Sequence, residues 1–499
     1  MLKKQSSTTM ISKTDNSMNR YTLLLLALLV GCSAPADEEN GFNRQEAEAT
    51  AQAAWEGLPA RLAKIKAPEF PEAAFSILDF GAQPDTAFDS RPAILAAIEK
   101  AADAGGGRVL IPDGTFQCKG PLHLKSGVAL ELSQDAVLRF SDRPEDYLPA
   151  VKVRWEGTVC WNWSPLIYAY QQENIGIIGE GLIEGNGKQW SMDWRKKQKP
   201  DKKRLRQMGN DTIPDEERVF ANGFLDLDGD GEDDGYGDGQ THYLRPSLIL
   251  FYDCDNILLE GFTAQNSPFW TIHLPFCQNV TARQLNIYGE VLNDDGIDPD
   301  SSVDVLIEDC YIETHDDAIA IKAGRDQDAW ERGPSRNIII RNCVLNSGVN
   351  AFAVGSEMSG GVEEVFIEDC QLKAGQHALN FKTNLDRGGA VQNVFIRRIQ
   401  ADSLEKALFI FRMDYHGYRG NQYPTQFNDF YVNDLQCNYV GGNALQIVGV
   451  EEQPIERVWL KDIQVNKAGQ PARIEQARDI VYENIQINEQ KWTYDSSAE

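Results

Sequence analysis

Three aspartates carry the first chemical signal in this sequence. Asp316 and Asp317 stand side by side in THDDAIAIKAG (314–324), and Asp295 in LNDDGIDP (292–299) precedes them by 21 and 22 positions. Two adjacent like charges at the mouth of an apolar run cost free energy unless they are paired or share a proton. If the chain coils with roughly that spacing, the three land on neighbouring coils and converge on one face. Repulsion among them then raises at least one pKa, and a carboxyl protonated near neutral pH can act as a general acid. Glycoside hydrolysis uses such a set: one carboxyl protonates the leaving oxygen while another activates water or attacks. On residue type alone, solvated turn aspartates or a calcium site built from the same hard oxygens are the alternatives.

The elements that would position these residues repeat. From about residue 248 the chain cycles through an Asn-rich or acidic turn, a short apolar-alternating strand, a polar break and a second apolar strand. IEDC (307–310), IRNC (340–343) and IEDC (367–370) place Cys310, Cys343 and Cys370 at spacings of 33 and 27. A period in this range marks a solenoid whose short strands bury themselves only by stacking. Helical periodicity is nearly absent there, so the fold class expected is all-β, a single-stranded right-handed parallel β-helix. The recurring cysteines read as stacked buried thiols occupying one packing slot. Upstream, Ser90 to Ala104 is one amphipathic helix with Ile94, Ala97, Ile98 and Ala101 on a face, ended by Gly105, Gly106 and Gly107. Such a helix would cap the open end of the stack, where a sheet edge is otherwise exposed.

Composition narrows the class. Of 499 residues, 42% are hydrophobic and 25% charged, as in a soluble globular protein, and 75 acidic against 48 basic residues give a net charge of -27. A nucleic-acid partner is therefore not expected, although a few cations focused in a cleft can still take an acidic substrate. Near the N-terminus, YTLLLLALLVGC (21–32) follows Lys3, Lys4, Lys13 and Arg20 and is too short to span a bilayer, so it reads as a signal-peptide core. Its Leu29-Val30-Gly31-Cys32 ending resembles a bacterial lipobox, which would make Cys32 the lipidated first residue of the mature protein, with Met18 as an alternative start. The expected organisation is a lipoprotein signal peptide (1–32), a tether and helical lead-in (33–66) with helix around Ala47 to Lys64, a β-helix catalytic domain (67–490) and a C-terminal tail (491–499). The product is an exported monomer, lipid-anchored to a bacterial membrane and facing the periplasm or the cell surface.

Across residues 70 to 490 the phrases fall in a familiar order. DFGA (79–82), AILAAI (93–98), GGGRVLIPDGTF (105–116) and LKSGVAL (124–130) lead in; SPLIYAY (164–170), NSPFWTIH (266–273), LNDDGIDP, HDDAIAIKAG and VGSEMSGG (354–361) follow. The chain in this respect resembles the polygalacturonase family of glycoside hydrolases, pectin-degrading enzymes on a right-handed parallel β-helix of the pectate-lyase-like kind. The resemblance implies that Asp316 is the general acid. It implies that Asp295 and Asp317 position and deprotonate the water, inverting the anomeric carbon, with Asn293 and Asp298 in support. The family's Gly-His-Gly segment reads Gly348-Val349-Asn350 here, and its Arg-Ile-Lys segment reads Asn380-Phe381-Lys382. Lys382 is kept as a substrate contact, whereas Asn380 cannot supply the bidentate clamp that Arg offers a uronate carboxylate. His315 and His377 are the nearby candidates for compensation, and Tyr415 lies where the family places a cleft tyrosine. Lys322 shares a strand with the aspartate pair, and strict alternation would put Ala318, Ala320 and Lys322 on one face.

Other features allow two readings each. In DLDGDGEDDGYGDG (226–239), Asp226, Asp228 and Asp230 match the first half of a calcium loop, but Gly237 stands where a bidentate Glu belongs. It is either a structural calcium site or a solvated acidic insertion, and no cofactor is expected for the chemistry itself. The basic run WRKKQKPDKKRLRQ (194–207) is either a solvated loop paired with that insertion or a contact for an anionic polysaccharide. Trp155, Trp161, Trp163, Phe269, Trp270 and Tyr415 are candidates for sugar stacking, against the general tendency of β-helix aromatics to be core. The function expected is inverting hydrolysis of a pectin-like galacturonan or a related acidic polysaccharide. The alternatives are a polysaccharide lyase on the same fold and a carbohydrate-binding β-helix without catalysis.

Overall fold

The computed structural model describes residues 42–221, 241–416 and 420–494. Cys32 with the signal segment, and Asp226, Asp228 and Asp230 in the acidic insertion, lie outside the described residues.

Short strands pair in parallel from one coil to the next, so that 28 strands form one continuous sheet, the right-handed parallel β-helix expected from the repeat. Interior columns hold the stack together. Ile257, Val280, Val305, Ile338, Val365, Val394, Phe430 and Val458 stand in register on successive coils, each fully buried. A column of this kind gives every coil the apolar cover that one short strand lacks. The turns are sharp because a left-handed residue recurs at one register position, occupied by Asn256, Asn279, Asp304 and Asn337 among others (φ 54° to 59°). Asn and Asp tolerate that conformation best among residues with a side chain. Cys310, Cys343 and Cys370 follow a second left-handed column and are buried, unpaired thiols, as the recurring phrase suggested. From Val362 onward each coil is one long bent strand, the first being Val362–Lys382.

Two helices seal exposed surfaces of the stack. The helix α1 (Arg44–Leu62) starts at Asn43, whose side chain accepts from the Glu46 amide. It buries Ala47, Ala51, Trp55 and Leu58 on an outward-facing column of Leu306, Ile339, Phe366, Phe395, Tyr431 and Trp459. The lead-in is thus a packed part of the domain. The helix α2 (Arg91–Asp103) closes the first coil with Ile94, Ala97, Ile98 and Ala101 in the core, as expected of a cap. At the other end the expected tail begins as a short return: Gln490–Lys491 pairs antiparallel with Gln486–Ile487, and Trp492 packs on Tyr482.

One region departs from the sequence reading. The basic run folds as two helices, α3 (Lys188–Lys197) and α4 (Lys199–Asn210), and not as a loop. Trp190, Trp194 and Leu205 are buried beneath them, an anchoring face that the surrounding charges obscure in the sequence. Beside them lies a hairpin of Val151–Trp155 and Thr158–Asn162, extended by Val219–Phe220. Together these elements wall one side of the site.

Candidate active site

The site forms where the strands Ile272–Pro275, Ile297–Asp300, Ile319–Ile321 and Asn350–Val354 stack. Because Ile297 is in register with Ile319, Asp295 stands beside Asp317 on the neighbouring coil. Asn350 and His377 continue the same line. Asp295, Asp316 and Asp317 each present a carboxylate oxygen within 4.8 Å of the others, which is the convergence the spacing predicted. They line a cavity of about 380 Å³ together with Asn293, Lys322, Lys382, Trp270 and Tyr415.

Each carboxylate has a distinct environment. Asp317 is buried; Lys382 donates to its Oδ2 at 2.6 Å, and Asn350 donates to its Oδ1. Asp295 accepts from Lys322 at 3.0 Å. Burial nevertheless pushes its pKa well up, and the charges of Asp298, Asp316 and Asp317 add to the rise against the opposing pull of Lys322. Asp316 is half-buried and, among the described residues, pairs with no ammonium group. It accepts from the backbone and side-chain N–H groups of Asn293 at 3.2 and 3.4 Å. Burial and the Asp317 charge raise its pKa, which Lys382 and Lys322 only partly offset. Asp295 and Asp316 therefore hold a proton more readily than free carboxylates would. Two ammonium groups already bonded to Asp295 and Asp317 also disfavour a metal ion there, since a cation would meet their charge.

Supporting groups missed by the sequence reading explain this geometry. Asp294 accepts from the backbone N–H groups of Asp316, His315 and Val291 at 2.8, 3.2 and 3.0 Å, pinning the loop that carries Asp316; burial raises its pKa to about 6. Arg245 is fully buried and donates to Asn293 Oδ1 at 2.8 Å, to the Pro268 and Leu292 carbonyls at 3.0 Å each, and to Gln198 Oε1 at 3.1 Å. It therefore turns the Asn293 amide so that its N–H group faces Asp316. Asp298, which the resemblance already placed in support, is fully buried; Lys322 stands 3.5 Å from it but makes no aligned hydrogen bond, and neither carboxylate oxygen has another partner among the described residues. Burial raises its pKa to about 8.

The expected substrate contacts divide. Asn293, Lys322, Lys382 and Tyr415 all line the cavity. Lys322 lies 4.3 Å from the Trp270 ring centre and Lys382 5.5 Å from that of Tyr415. Asn380 does not reach the cavity: it is buried behind Asn350 and donates to Asn350 Oδ1 at 2.8 Å. His377 meets the same oxygen at 2.8 Å, and burial lowers its pKa to about 4. His315 is exposed in a neighbouring depression with Lys188 and Glu290. Neither histidine faces the trio, so Asn350, held by Asn380 and His377, contacts Asp317 where compensation by His377 was considered. Ala318 belongs to the interior, because the strand begins only at Ile319, whereas Lys322 faces the cleft. Among the aromatics, Trp155 and Phe269 stack behind Trp270 (5.1 Å between successive rings), leaving Trp270 and Tyr415 at the cavity.

Above the trio the wall carries a buried ion network. Glu156 accepts from Lys202 and Arg206 of α4 at 2.6 and 2.8 Å, and its backbone carbonyl accepts from Arg325 at 2.9 Å. Burial alone would raise the pKa of Glu156, but these three cations outweigh it and hold it at about 2. Arg325 also pairs with Glu357 of the VGSE phrase.

A parallel β-helix whose cleft brings together three carboxylates, two of them bonded to lysines, fits a polysaccharide-cleaving hydrolase. Comparison with known proteins gives the family. Residues 212–484 match the description "Glycosyl hydrolases family 28", and residues 74–131 match "Rhamnogalacturonase A/epimerase, pectate lyase-like". The chain belongs to glycosyl hydrolase family 28 and is a glycoside hydrolase. It is similar to the crystal structure of a hyperthermoactive exopolygalacturonase from Thermotoga maritima, with 32% identity, a TM-score of 0.77, and coverage of 88% of this chain and 96% of that one. It is 26% identical to a probable polygalacturonase of Vitis vinifera over 80% of this chain and 75% of the relative. It is 27% identical to an exo-poly-alpha-D-galacturonosidase of Dickeya chrysanthemi, matching 72% of this chain and 62% of that protein's length.

Proposed function

We propose that this protein hydrolyses α-linked galacturonan, with Asp316 as the acid that protonates the leaving oxygen and Asp295 and Asp317 as the pair that orients and deprotonates water. The observation that carries the reading is the trio itself: Asp316, without an ammonium partner and with a raised pKa, stands beside two carboxylates bonded to Lys322 and Lys382. An acid must arrive protonated and a base ionised, and the partners divide the roles: Asp316 has no ammonium donor among the described residues, whereas Lys322 opposes the burial that raises the Asp295 pKa and Lys382 donates to Asp317. The names of the relatives support galacturonan as the polymer. Inversion follows in this reading because water, not a carboxylate, attacks. In this reading the water sits against Asp295 and Asp317 jointly, opposite the face that Asp316 protonates.

A lyase is not favoured by membership in a hydrolase family, and a binding protein without catalysis is not favoured by an intact trio. Reducing ends released from polygalacturonate by the wild type, and lost in Asp316→Asn, test the assignment. Release unchanged in the variant overturns it. The chemistry needs no cofactor in this reading. The N-terminal sequence supports export and anchoring through Cys32, and Cys32→Ala should move the protein from the membrane fraction to the soluble one. If calcium binds at Asp226, Asp228 and Asp230, it shapes the insertion and takes no part in the reaction.

A further inference from the structure

The cleft's cations differ in what they already hold. Lys322 bonds Asp295, Lys382 bonds Asp317, and Lys202 and Arg206 share Glu156. Arg325 pairs with Glu357 and Arg387 with Asp326. Each of these cations already has a carboxylate partner, although Lys202 and Arg206 share one. Arg195 and Lys199 line the same cavity and are exposed, and neither makes a side-chain hydrogen bond or ion pair with the described residues. They lie four positions apart, at the end of α3 and the start of α4, on either side of the buried Gln198.

Their mounting is rigid. Trp190 and Trp194 pack edge to face at 4.8 Å beneath α3. Asp201 of α4 is bonded to His242 at 2.9 Å and to the Tyr243 amide at 2.8 Å, and Gln198 accepts from Arg245. Two unengaged cations on the wall of the cavity that three acidic side chains also line give the cleft a place where an anionic substrate is attracted rather than repelled.

We propose that Arg195 and Lys199 form a carboxylate-binding subsite that recognises the uronate group of the substrate. The inference rests on the galacturonan reading for its substrate class, uronate polymers, but assigns the recognition to a wall outside the catalytic coils. Arg supplies a planar fork for the carboxylate and Lys a point charge beside it.

The test is calorimetric binding to full-length Asp316→Asn, which does not turn substrate over, with and without Arg195→Gln and Lys199→Gln. Gln keeps helix propensity at both exposed positions, so the fold should be retained. Probes are trigalacturonate, a mannuronate trimer, and the methyl ester of each. Loss of one charge-assisted contact weakens binding by about tenfold, so the double substitution should weaken a bound free acid by about 100-fold. Methyl esters should bind both forms equally. Affinity for the free acid within twofold of the parent overturns the proposal. Equal loss for acid and ester overturns it too, because the wall then acts by shape. Failure of the parent to bind either free acid also overturns it. Binding of mannuronate alone, weakened by the substitutions, would retain this subsite while rejecting galacturonan as the substrate.

Discussion

Arg245→Met separates the role of the trio from that of its support. The substitution keeps an unbranched apolar stem but removes a buried guanidinium whose donors serve Asn293, Pro268, Leu292 and Gln198. These four acceptors, and Ser191 Oγ at 3.4 Å, lose their partner. Breaking a buried charged network of this kind costs about 3–5 kcal/mol of stability. The activity should fall for a different reason. The Asn293 side chain, released from Arg245, no longer holds its N–H group toward Asp316, although the backbone N–H at 3.2 Å remains. Loss of one hydrogen bond to a charged group is worth about 1.5–3 kcal/mol, or about 10–100-fold in kcat. The pH profile should show the direction. The Arg245 charge and the Asn293 N–H groups both favour ionised Asp316, so losing Arg245 and the side-chain donor should raise that pKa and keep the acid protonated to higher pH. The alkaline limb of kcat should therefore move upward. The assay is reducing-sugar release against pH on protein shown to be folded by near-ultraviolet circular dichroism. A folded variant with kcat within threefold of wild type, or with an alkaline limb moved downward, would refute the reasoning.

Three further outcomes are expected. Asp298 has its pKa raised from 3.8 to about 8, so the native state binds more protons than the unfolded one in that window and stability falls as pH rises through it. Asp298→Asn should flatten this decline and stabilise the protein at pH 8 by at most about 5 kcal/mol, measured by denaturant unfolding against pH; an unchanged pH dependence contradicts it. Asn350→Ala removes the amide bonded to Asp317 and leaves Asn380 and His377 without their shared acceptor, so kcat should drop about 10–100-fold with little change in KM. Dialysis against EDTA should leave kcat unchanged, because lysines and not a metal neutralise Asp295 and Asp317.

The parts of this molecule legible in its sequence are those governed by local repetition. The recurring Asn and Asp turns, the apolar alternation and the IEDC phrases are each short-range, and stacking converts them directly into coils. The trio was legible for the same reason, since Asp295 and Asp317 differ by one coil. Lys322 and Lys382 could be proposed from strand position and resemblance. Arg245 could not, because its contact with Asn293 depends on how an excursion between coils folds back over the cleft. The exchange at 349–350 looked like a loss because residue type shows a missing histidine but not that Asn350 reaches Asp317. The α3–α4 wall was hidden by charge: its three large buried apolar residues, Trp190, Trp194 and Leu205, are outnumbered by lysines and arginines on the solvent face. The helix α1 was visible, but its seat was not. Leu306, Ile339 and Phe366 alternate with interior residues and show only that both strand faces are apolar.

The central claim, hydrolysis by water held between Asp295 and Asp317 with Asp316 as the acid, is tested most directly by proton NMR of the first product released from an α-linked galacturonan oligosaccharide. The account requires a saturated product whose new reducing end appears first as the β-anomer and then equilibrates. A reducing end that appears first as the α-anomer, or an unsaturated product, would contradict it.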